Sequence, residues 1–316
     1  MADTVDAPVT RRPRRLLPLD LVRGFLIGMA ELVPGVSGGT VALVTGVYEQ
    51  LIDSASHVLS AVRRLVTGPD RARAVGVEIR RTDWWLILPV LVGMATAVLT
   101  MAGVMSGFVT DHPEHARGLF LGLVAASVAV PIRMLPAAHR PAWFDVAVLV
   151  AAAVAAFVLT SFAAGGVVAE PAPVVVFAAA AVAICALVVP GVSGSFFLLA
   201  VGLYTPTLDA VHERDLGYMA VFALGAITGL ALFVRLLHHL LHQHRRTTLL
   251  AMAGLMVGSL RALWPWQSSG EDGHGPGALL VPTAPVAGPV LLALLGAVVV
   301  TVLVVVESRH HPSEPR

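Results

Sequence analysis

The sequence contains no lysine, a single cysteine and few charged side chains of any kind. Only 13% of its 316 residues are charged, against about 25% in a soluble domain. This shortage excludes a nucleic-acid-binding protein, a disordered scaffold and an ordinary cytosolic enzyme. All 21 basic residues are arginines, and the net charge of +1 indicates no particular partner. Because Cys185 stands alone, an intramolecular disulfide is excluded as well.

Apolar residues are abundant instead, at 57% of the chain with a mean hydropathy of +0.82. A helix needs about 20 mostly apolar residues to cross a bilayer. The pattern therefore predicts an all-α polytopic membrane protein with cytoplasmic tails at residues 1–19 and 307–316. The N-terminal part lacks the features of a removable signal peptide. The predicted crossings are residues 84–109, 117–135, 143–165, 216–240, 247–264 and 287–306.

Two further apolar regions, residues 21–52 and 174–208, are too long for one crossing. Each is interrupted near its centre by Pro-Gly-Val-Ser-Gly. Proline removes a backbone donor and glycine permits a sharp reversal. We therefore predict two re-entrant helical hairpins that enter the membrane and return to the same side. Their turns are formed by Pro34, Gly35, Pro190 and Gly191.

The two hairpins are copies of one another. At an offset of 156 residues, ten of the 21 positions from 33 to 53 are identical to those from 189 to 209, and downstream matches continue at an offset of 132. The first repeat is predicted over residues 20–169 and the second over 170–306. Each contains one hairpin and three crossings, and because three is odd, the second repeat is inverted relative to the first.

The arginine distribution provides an independent test of this topology. Eighteen of the 21 arginines fall in segments that the inverted arrangement places on one side of the membrane. The other side keeps Arg117, Arg214 and Arg261. Because cytoplasmic loops carry an excess of arginine, both termini are predicted to be cytoplasmic.

The hairpin tips are the predicted substrate site. A helix that restarts after such a turn offers unpaired N–H groups and a positive dipole end to an anion. The alternative is that the prolines and glycines only turn the chain and the serines cap helices. Arg261, Arg133 and Arg235 could hold an anionic head group or simply extend to the interface. The residues predicted to bind the anion are Ser37, Gly38, Gly39, Thr40, Ser193, Gly194, Ser195 and Arg261.

Glu31 lies three residues before the first turn, inside an apolar segment where a carboxylate is costly and often functional. It could carry a coupling proton or cation, orient the tip by accepting backbone hydrogen bonds, or form a structural pair with Arg23. Its counterpart in the second repeat is Leu187, which makes the half-sites chemically unequal. The histidines between positions 238 and 244 include an i,i+4 pair, a geometry that can bind a metal. Because they lie at a helix end beside two arginines, they are predicted to be interfacial instead, and no metal site is expected.

Three segments carry a resemblance to a known family. Residues 31–40 with 46–49, residues 190–196 with 202–204, and residues 254–265 resemble signatures of the PopT-type bacterial polyprenyl-phosphate transporters, once catalogued only as a domain of unknown function. The resemblance covers roughly residues 20 to 306. One departure is Thr205-Pro206, where an acidic residue is expected after the second Gly-x-Tyr.

The resemblance implies a flippase that returns undecaprenyl phosphate, or a related polyprenyl phosphate, from the outer to the inner leaflet of the bacterial plasma membrane by alternating access. The implied partners are this lipid and the surrounding membrane lipids, with no nucleic acid. No cofactor is expected, although a coupling proton or sodium ion fits the scheme. Two alternatives stay open: a transporter of a small soluble anion, and a lipid phosphatase, which the absence of histidine from both tips disfavours.

Overall fold

The described part of the chain consists of α-helices and one antiparallel pair of short strands. The structure, a computed structural model, describes residues 13–32, 36–67, 71–138, 140–161, 171–191, 193–269, 276–284 and 286–310. In these ranges the helices are α1 Leu17–Glu31, α2 Gly38–Val44, α3 Tyr48–Thr67, α4 Arg71–Arg81, α5 Trp84–Asp111, α6 Pro113–Ser127, α7 Ala129–Arg133, α8 Ala142–Ser161, α9 Pro173–Val188, α10 Gly194–Ala200, α11 Tyr204–His212, α12 Leu216–Gln243, α13 Arg245–Ser259 and α14 Ala287–His310. The strands are β1 Gln267–Ser269 and β2 Pro276–Leu279.

Five helical segments of the described chain are long and apolar enough to cross a membrane. Much of their surface is apolar and exposed, as expected for helices that face lipid. The chain is therefore an all-α polytopic membrane protein. The five segments are Trp84–Met101, Pro113–Arg133, Ala142–Ser161, Leu216–Gln243 and Ala287–Val305.

The crossing predicted at residues 247–264 is shorter in the structure. Helix α13 has 15 residues and continues as a 3-10 turn over Leu260–Leu263. Pro265 follows, and a residue that precedes proline is pushed out of helical conformation. Trp264 accordingly adopts an extended backbone, with φ −61° and ψ 126°. By itself α13 does not reach the length of a bilayer crossing.

The predicted crossing at residues 117–135 consists of two helices, α6 and α7, separated at Val128. Pro131 explains the break, because it has no N–H to donate to the carbonyl of Ser127. Ser127 is buried, and its hydroxyl donates to the carbonyl of Leu123 at 2.6 Å. The two helices together span Pro113–Arg133.

Neither long apolar region is a continuous helix. The first contains most of α1, all of α2 and the start of α3, and the second contains α9, α10 and the start of α11. The chain folds back in both, since α2 packs on α1 and α10 packs on α9. The predicted tail residues 1–12 and 311–316 lie outside the described residues, as do Pro34 and Gly35 of the first turn.

Both copies end their second helix in the same way. Gly46 and Gly202 each have a φ of +72°, a left-handed conformation that glycine adopts at little cost. The N–H of Val47 bonds to the carbonyl of Ala42 at 3.0 Å, and that of Leu203 bonds to Leu198 at 2.8 Å. These are the six-to-one bonds of a Schellman helix end. The repeated Gly-x-Tyr sequence therefore produces the same helix break twice.

Four pairs of helices form the largest contacts: α1 with α5, α9 with α12, α6 with α14, and α8 with α13. Glycines allow the backbones to approach closely. A Cβ at Gly93 would collide with the carbonyl of Leu21, and one at Gly225 would collide with that of Phe177. The two contacts are equivalent, because Gly225 lies 132 residues after Gly93 and Phe177 lies 156 residues after Leu21. The repeat is thus visible in packing between helices as well as in sequence.

Candidate functional site

The beginning of α2 lies directly against the end of α9, so the two hairpins meet. Ser37 is buried, and its hydroxyl lies 3.2 Å from the carbonyl oxygen of Val189 and 3.4 Å from that of Leu187. Gly39 packs on the carbonyl of Val188, which would be 2.6 Å from a Cβ at this position. Glycine is therefore required at residue 39 for the two backbones to touch.

Two more side chains of the first copy bind the backbone of the second. The buried Thr40 hydroxyl accepts a hydrogen bond from the N–H of Gly191 at 3.0 Å. The hydroxyl of Tyr48 donates to the carbonyl of Val188 at 3.1 Å. Backbone groups at the second tip, where regular helical bonding ends, thus obtain their partners from the first copy. We call this contact, formed by Ser37, Gly39, Thr40 and Tyr48 with residues 187–191, the tip interface.

The second turn depends on the backbone conformation of a glycine and on its lack of a side chain. Gly191 is buried with a φ of +85°, which favours glycine strongly over other residues. A Cβ at this position would lie 2.6 Å from both the N and the Cα of Met256 on α13. Pro190 is fully buried beside it. The tip interface consequently packs against α13.

Glu31 binds the backbone at the start of α2, the helix that follows the first turn. Its Oε1 accepts a hydrogen bond from the N–H of Gly38 at 2.9 Å, which caps the start of α2. Arg23, the partner considered from sequence, instead forms a buried pair with Asp20 at 2.9 Å. In the second copy Leu187 takes the place of Glu31, and its Cβ lies 3.3 Å from the Cβ position of Gly194.

The remaining serines belong to the second tip. Ser193 is buried, and its hydroxyl lies 2.9 Å from that of Ser195. Gly194 packs on the carbonyl of Ala183, 2.5 Å from its Cβ position. Six of the seven tip residues predicted to bind an anion, namely Ser37, Gly38, Gly39, Thr40, Ser193 and Gly194, therefore pack closely against helix backbone or neighbouring tip groups, and Ser195 contacts Ser193.

Comparison with known proteins identifies the family. The model of a VCA0040-like family, described as undecaprenyl phosphate translocase-like, matches residues 27–275. The chain belongs to this family. A protein of Vibrio cholerae named polyprenyl-phosphate transporter is 32% identical over 250 residues, which cover 78% of each chain. A Staphylococcus aureus protein of the same name is 26% identical over 263 residues, which cover 78% of this chain and 86% of its own. No solved structure matches the chain significantly.

The arginines of this family member lie outside the tip interface. Arg261 follows α13, where its Nη1 donates to the carbonyl of Thr160 at 3.2 Å and its guanidinium lies 5.4 Å from the ring centroid of Phe157. These contacts place it beside the C-terminal end of α8. Arg133 is exposed and Arg235 is half-buried.

An apolar groove runs along α9 and α10 next to the second tip. It has a volume of about 410 Å³. Phe197, one of its lining residues, is one helical turn from Ser193, since its N–H bonds to the Ser193 carbonyl at 3.0 Å. The lining side chains are all apolar: Val174, Val175, Ala178, Ala179, Val182, Phe197, Val201 and Leu203.

Two residues that join the copies, Tyr48 and Glu49, were not predicted from the sequence. Tyr48 belongs to the tip interface, and Glu49 forms an ion pair with Arg245 at 2.7 Å. Tyr48 lies in the repeated Gly-x-Tyr segment, so the repeat was the signal that could have indicated it. Glu49 is replaced by Thr205 in the second copy, so the repeat gave no such signal for it.

Proposed function

We propose that this chain translocates a polyprenyl phosphate across the membrane and that the lipid phosphate passes between the two hairpin tips. The main support is the tip interface, where buried polar groups from both copies meet inside an otherwise apolar protein. Buried polar groups are expensive unless they have partners. Family membership supports the substrate class, since both curated relatives are named polyprenyl-phosphate transporters.

The finer architecture belongs to the same proposal: two inverted repeats, each with a re-entrant hairpin and three crossings. The equivalent contacts of Gly93 and Gly225 and the twin helix ends at Gly46 and Gly202 support the repeat. The arginine distribution supports cytoplasmic termini in a bacterial plasma membrane. In this arrangement α13 and the 3-10 turn after it form the second crossing of the second repeat.

Phosphate binding requires the tips to part. Ser37 and Thr40 now bond to the backbone of the opposite copy. When the tips separate, these hydroxyls and the backbone N–H groups near Gly38 and Gly194 become available to phosphate oxygens. The polar groups therefore exchange one set of partners for another, so that neither state leaves them buried and unsatisfied. Alternating access then consists of opening this interface towards one side at a time.

The rest of the lipid fits the surroundings of the second tip. The groove along α9 and α10 is apolar and begins one turn from Ser193. A prenyl chain gains free energy by covering apolar surface such as this. We assign the groove to the part of the prenyl chain nearest the phosphate. We also assign to Arg261, beside the C-terminal end of α8, the role of attracting the head group before it enters.

Transport is proposed to run from the outer to the inner leaflet, with Glu31 as the coupling or gating group. Its bond to Gly38 links the state of the carboxylate to the position of α2. A proton or sodium ion that bound the carboxylate would weaken this bond and release the tip. The chain would thus convert an ion gradient into tip movement without an enzymatic step.

The experiment is leaflet-resolved flipping of labelled polyprenyl phosphate in proteoliposomes. We expect the full chain to move the lipid. Ser37→Ala/Thr40→Val should lower the initial rate about tenfold or more, because the open tips lose two hydroxyls that are proposed to bind phosphate oxygens, each worth about 1 kcal/mol. Thr301→Val is the matched control, because its hydroxyl is exposed on α14 and bonds only within that helix. It should keep the full rate.

Each alternative function gives a different result in the same preparation. A transporter of a small soluble anion would take up inorganic phosphate and leave the labelled lipid in its leaflet. A lipid phosphatase would release phosphate from the lipid. Either result, or equal rates in Ser37→Ala/Thr40→Val and the wild-type chain, would contradict the proposal.

A further inference from the structure

A cluster of three side chains that could bind a metal lies apart from the tips, where α3 packs against α12. It consists of Asp53 from α3 and of His238 and His242 from α12. One ligand atom from each residue lies within 4.8 Å of the other two. The three residues come from both copies of the repeat, because α3 follows the first hairpin and α12 follows the second.

The spacing suits a zinc ion. His238 Nε2 and Asp53 Oδ1 are 3.5 Å apart. Zinc bonds of about 2.0–2.1 Å arranged tetrahedrally place neighbouring ligand atoms about 3.3–3.4 Å apart. This pair therefore already matches one edge of the coordination tetrahedron. The His238 and His242 rings are stacked with centroids 4.2 Å apart, and each offers a ring nitrogen within 4.8 Å of the other ligand atoms.

A hydrogen bond also holds His242 in the tautomer that leaves Nε2 free to bind a metal. The Nδ1 of His242 lies 2.9 Å from the carbonyl oxygen of His238. A carbonyl can only accept, so Nδ1 carries the proton and Nε2 keeps its lone pair. Metal-binding histidines are typically oriented in this way by a hydrogen bond from the other ring nitrogen. Neighbouring His57 has a related arrangement, since its Nδ1 is bonded to Glu78 at 2.9 Å.

The cluster is open to solvent. The side chains of Asp53 and His238 are 44% and 37% exposed, and His242 is exposed. A metal ion can therefore enter without unfolding, and water can fill the remaining position. The nearby arginine, Arg245, is engaged by Glu49, which reduces its repulsion of a cation. Two imidazoles and one carboxylate form a ligand set that zinc accepts with an open fourth position.

We propose that Asp53, His238 and His242 form a Zn²⁺ site that fastens α3 of the first repeat to α12 of the second. The site is independent of the phosphate path. Because its ligands come from both repeats, a bound ion holds the two repeats in the relative position described here. Zinc therefore stabilises this conformation against any in which α3 and α12 separate.

The test is zinc binding by the full chain, purified with a tag that contains no histidine and stripped of metal by a chelator. Zn²⁺ alone is titrated, and bound metal is counted after desalting. We expect one ion per chain, loss of stoichiometric binding in His238→Gln and His242→Gln, and affinity weakened about tenfold or more in Asp53→Asn. X-ray absorption should show two imidazole ligands on the zinc.

His239→Gln is the matched control, since His239 is next to His238 but lies outside the cluster. It should bind zinc as the wild-type chain does. Monodispersity and helical content, measured on every variant, separate loss of the site from misfolding. Unchanged zinc binding in both His238→Gln and His242→Gln, or no stoichiometric zinc on the wild-type chain, would overturn the proposal.

Discussion

Replacing Glu31 with leucine should lower the rate of polyprenyl-phosphate flipping about tenfold or more. The substitution removes the acceptor of the Gly38 N–H, and a hydrogen bond to a charged group contributes roughly 1.5–3 kcal/mol. It also reproduces the second copy, where Leu187 holds the equivalent position. Initial rates in proteoliposomes, normalised to reconstituted protein, measure the effect.

Glu31→Gln separates the charge of this residue from its hydrogen bond. The amide oxygen can still accept from Gly38, so the start of α2 should keep its position and the chain its thermal stability. If the carboxylate couples transport to an ion gradient, the variant should flip slowly and lose its response to an imposed proton or sodium gradient. Wild-type flipping with an intact gradient response would show that Glu31 is purely structural.

The second large effect is expected from Gly191→Ala. Its φ of +85° costs a residue with a Cβ about 1–2 kcal/mol, and the new methyl group would meet the backbone of Met256 at 2.6 Å. The turn must therefore shift away from α13, and Thr40 then loses the Gly191 N–H. We expect a clearly lower melting temperature and flipping close to the background of empty liposomes.

Gly103→Ala is the control for this substitution. Gly103 lies in α5 with open space around its Cβ position, and alanine favours a helix by about 1 kcal/mol over glycine. The control should melt at or above the wild-type temperature. Equal melting temperatures and flipping rates for Gly191→Ala and the wild-type chain would mean that the second turn does not need its left-handed conformation.

The sequence was sufficient for the fold class because membrane helices are constrained by simple physics. Backbone groups in lipid must be satisfied within the segment, so apolar length alone located the helices that begin near Trp84, Ala142 and Leu216. The repeated Pro-Gly-Val-Ser-Gly located both interruptions. The end of α13 at Ser259 was harder to predict, because hydropathy does not distinguish an α-helix from the 3-10 turn that continues over Leu260–Leu263.

The contacts between the copies could not be predicted residue by residue. The repeat indicated that two tips exist, but not that Ser37 and Thr40 bond to the opposite backbone. Side chains at an interface depend on how rigid units dock, which local sequence does not encode. The contact between Asp53 and His238 could not be predicted either. The two residues are far apart in the sequence, yet Asp53 Oδ1 and His238 Nε2 are only 3.5 Å apart.

The unequal half-sites have a functional consequence within the proposal. Glu31 bonds to Gly38 in the first tip, whereas Leu187 packs near Gly194 in the second. If Glu31 binds a proton or cation as proposed, opening of the first tip responds to ions and opening of the second does not. An ion gradient could then bias the equilibrium between the two openings.

Cross-linking across the tip interface tests the central claim most directly. In a Cys185→Ala background, Ser37→Cys and Val189→Cys are combined, and a protease site is inserted between α8 and α9 to separate the repeats. Because Ser37 and Val189 are in direct contact, a short thiol cross-linker should keep the halves together after cleavage. The control pair, Ser37→Cys with Val175→Cys, places the second thiol about 20 Å further along α9 and should let the halves separate. Equal cross-linking of the two pairs would contradict the meeting of the tips.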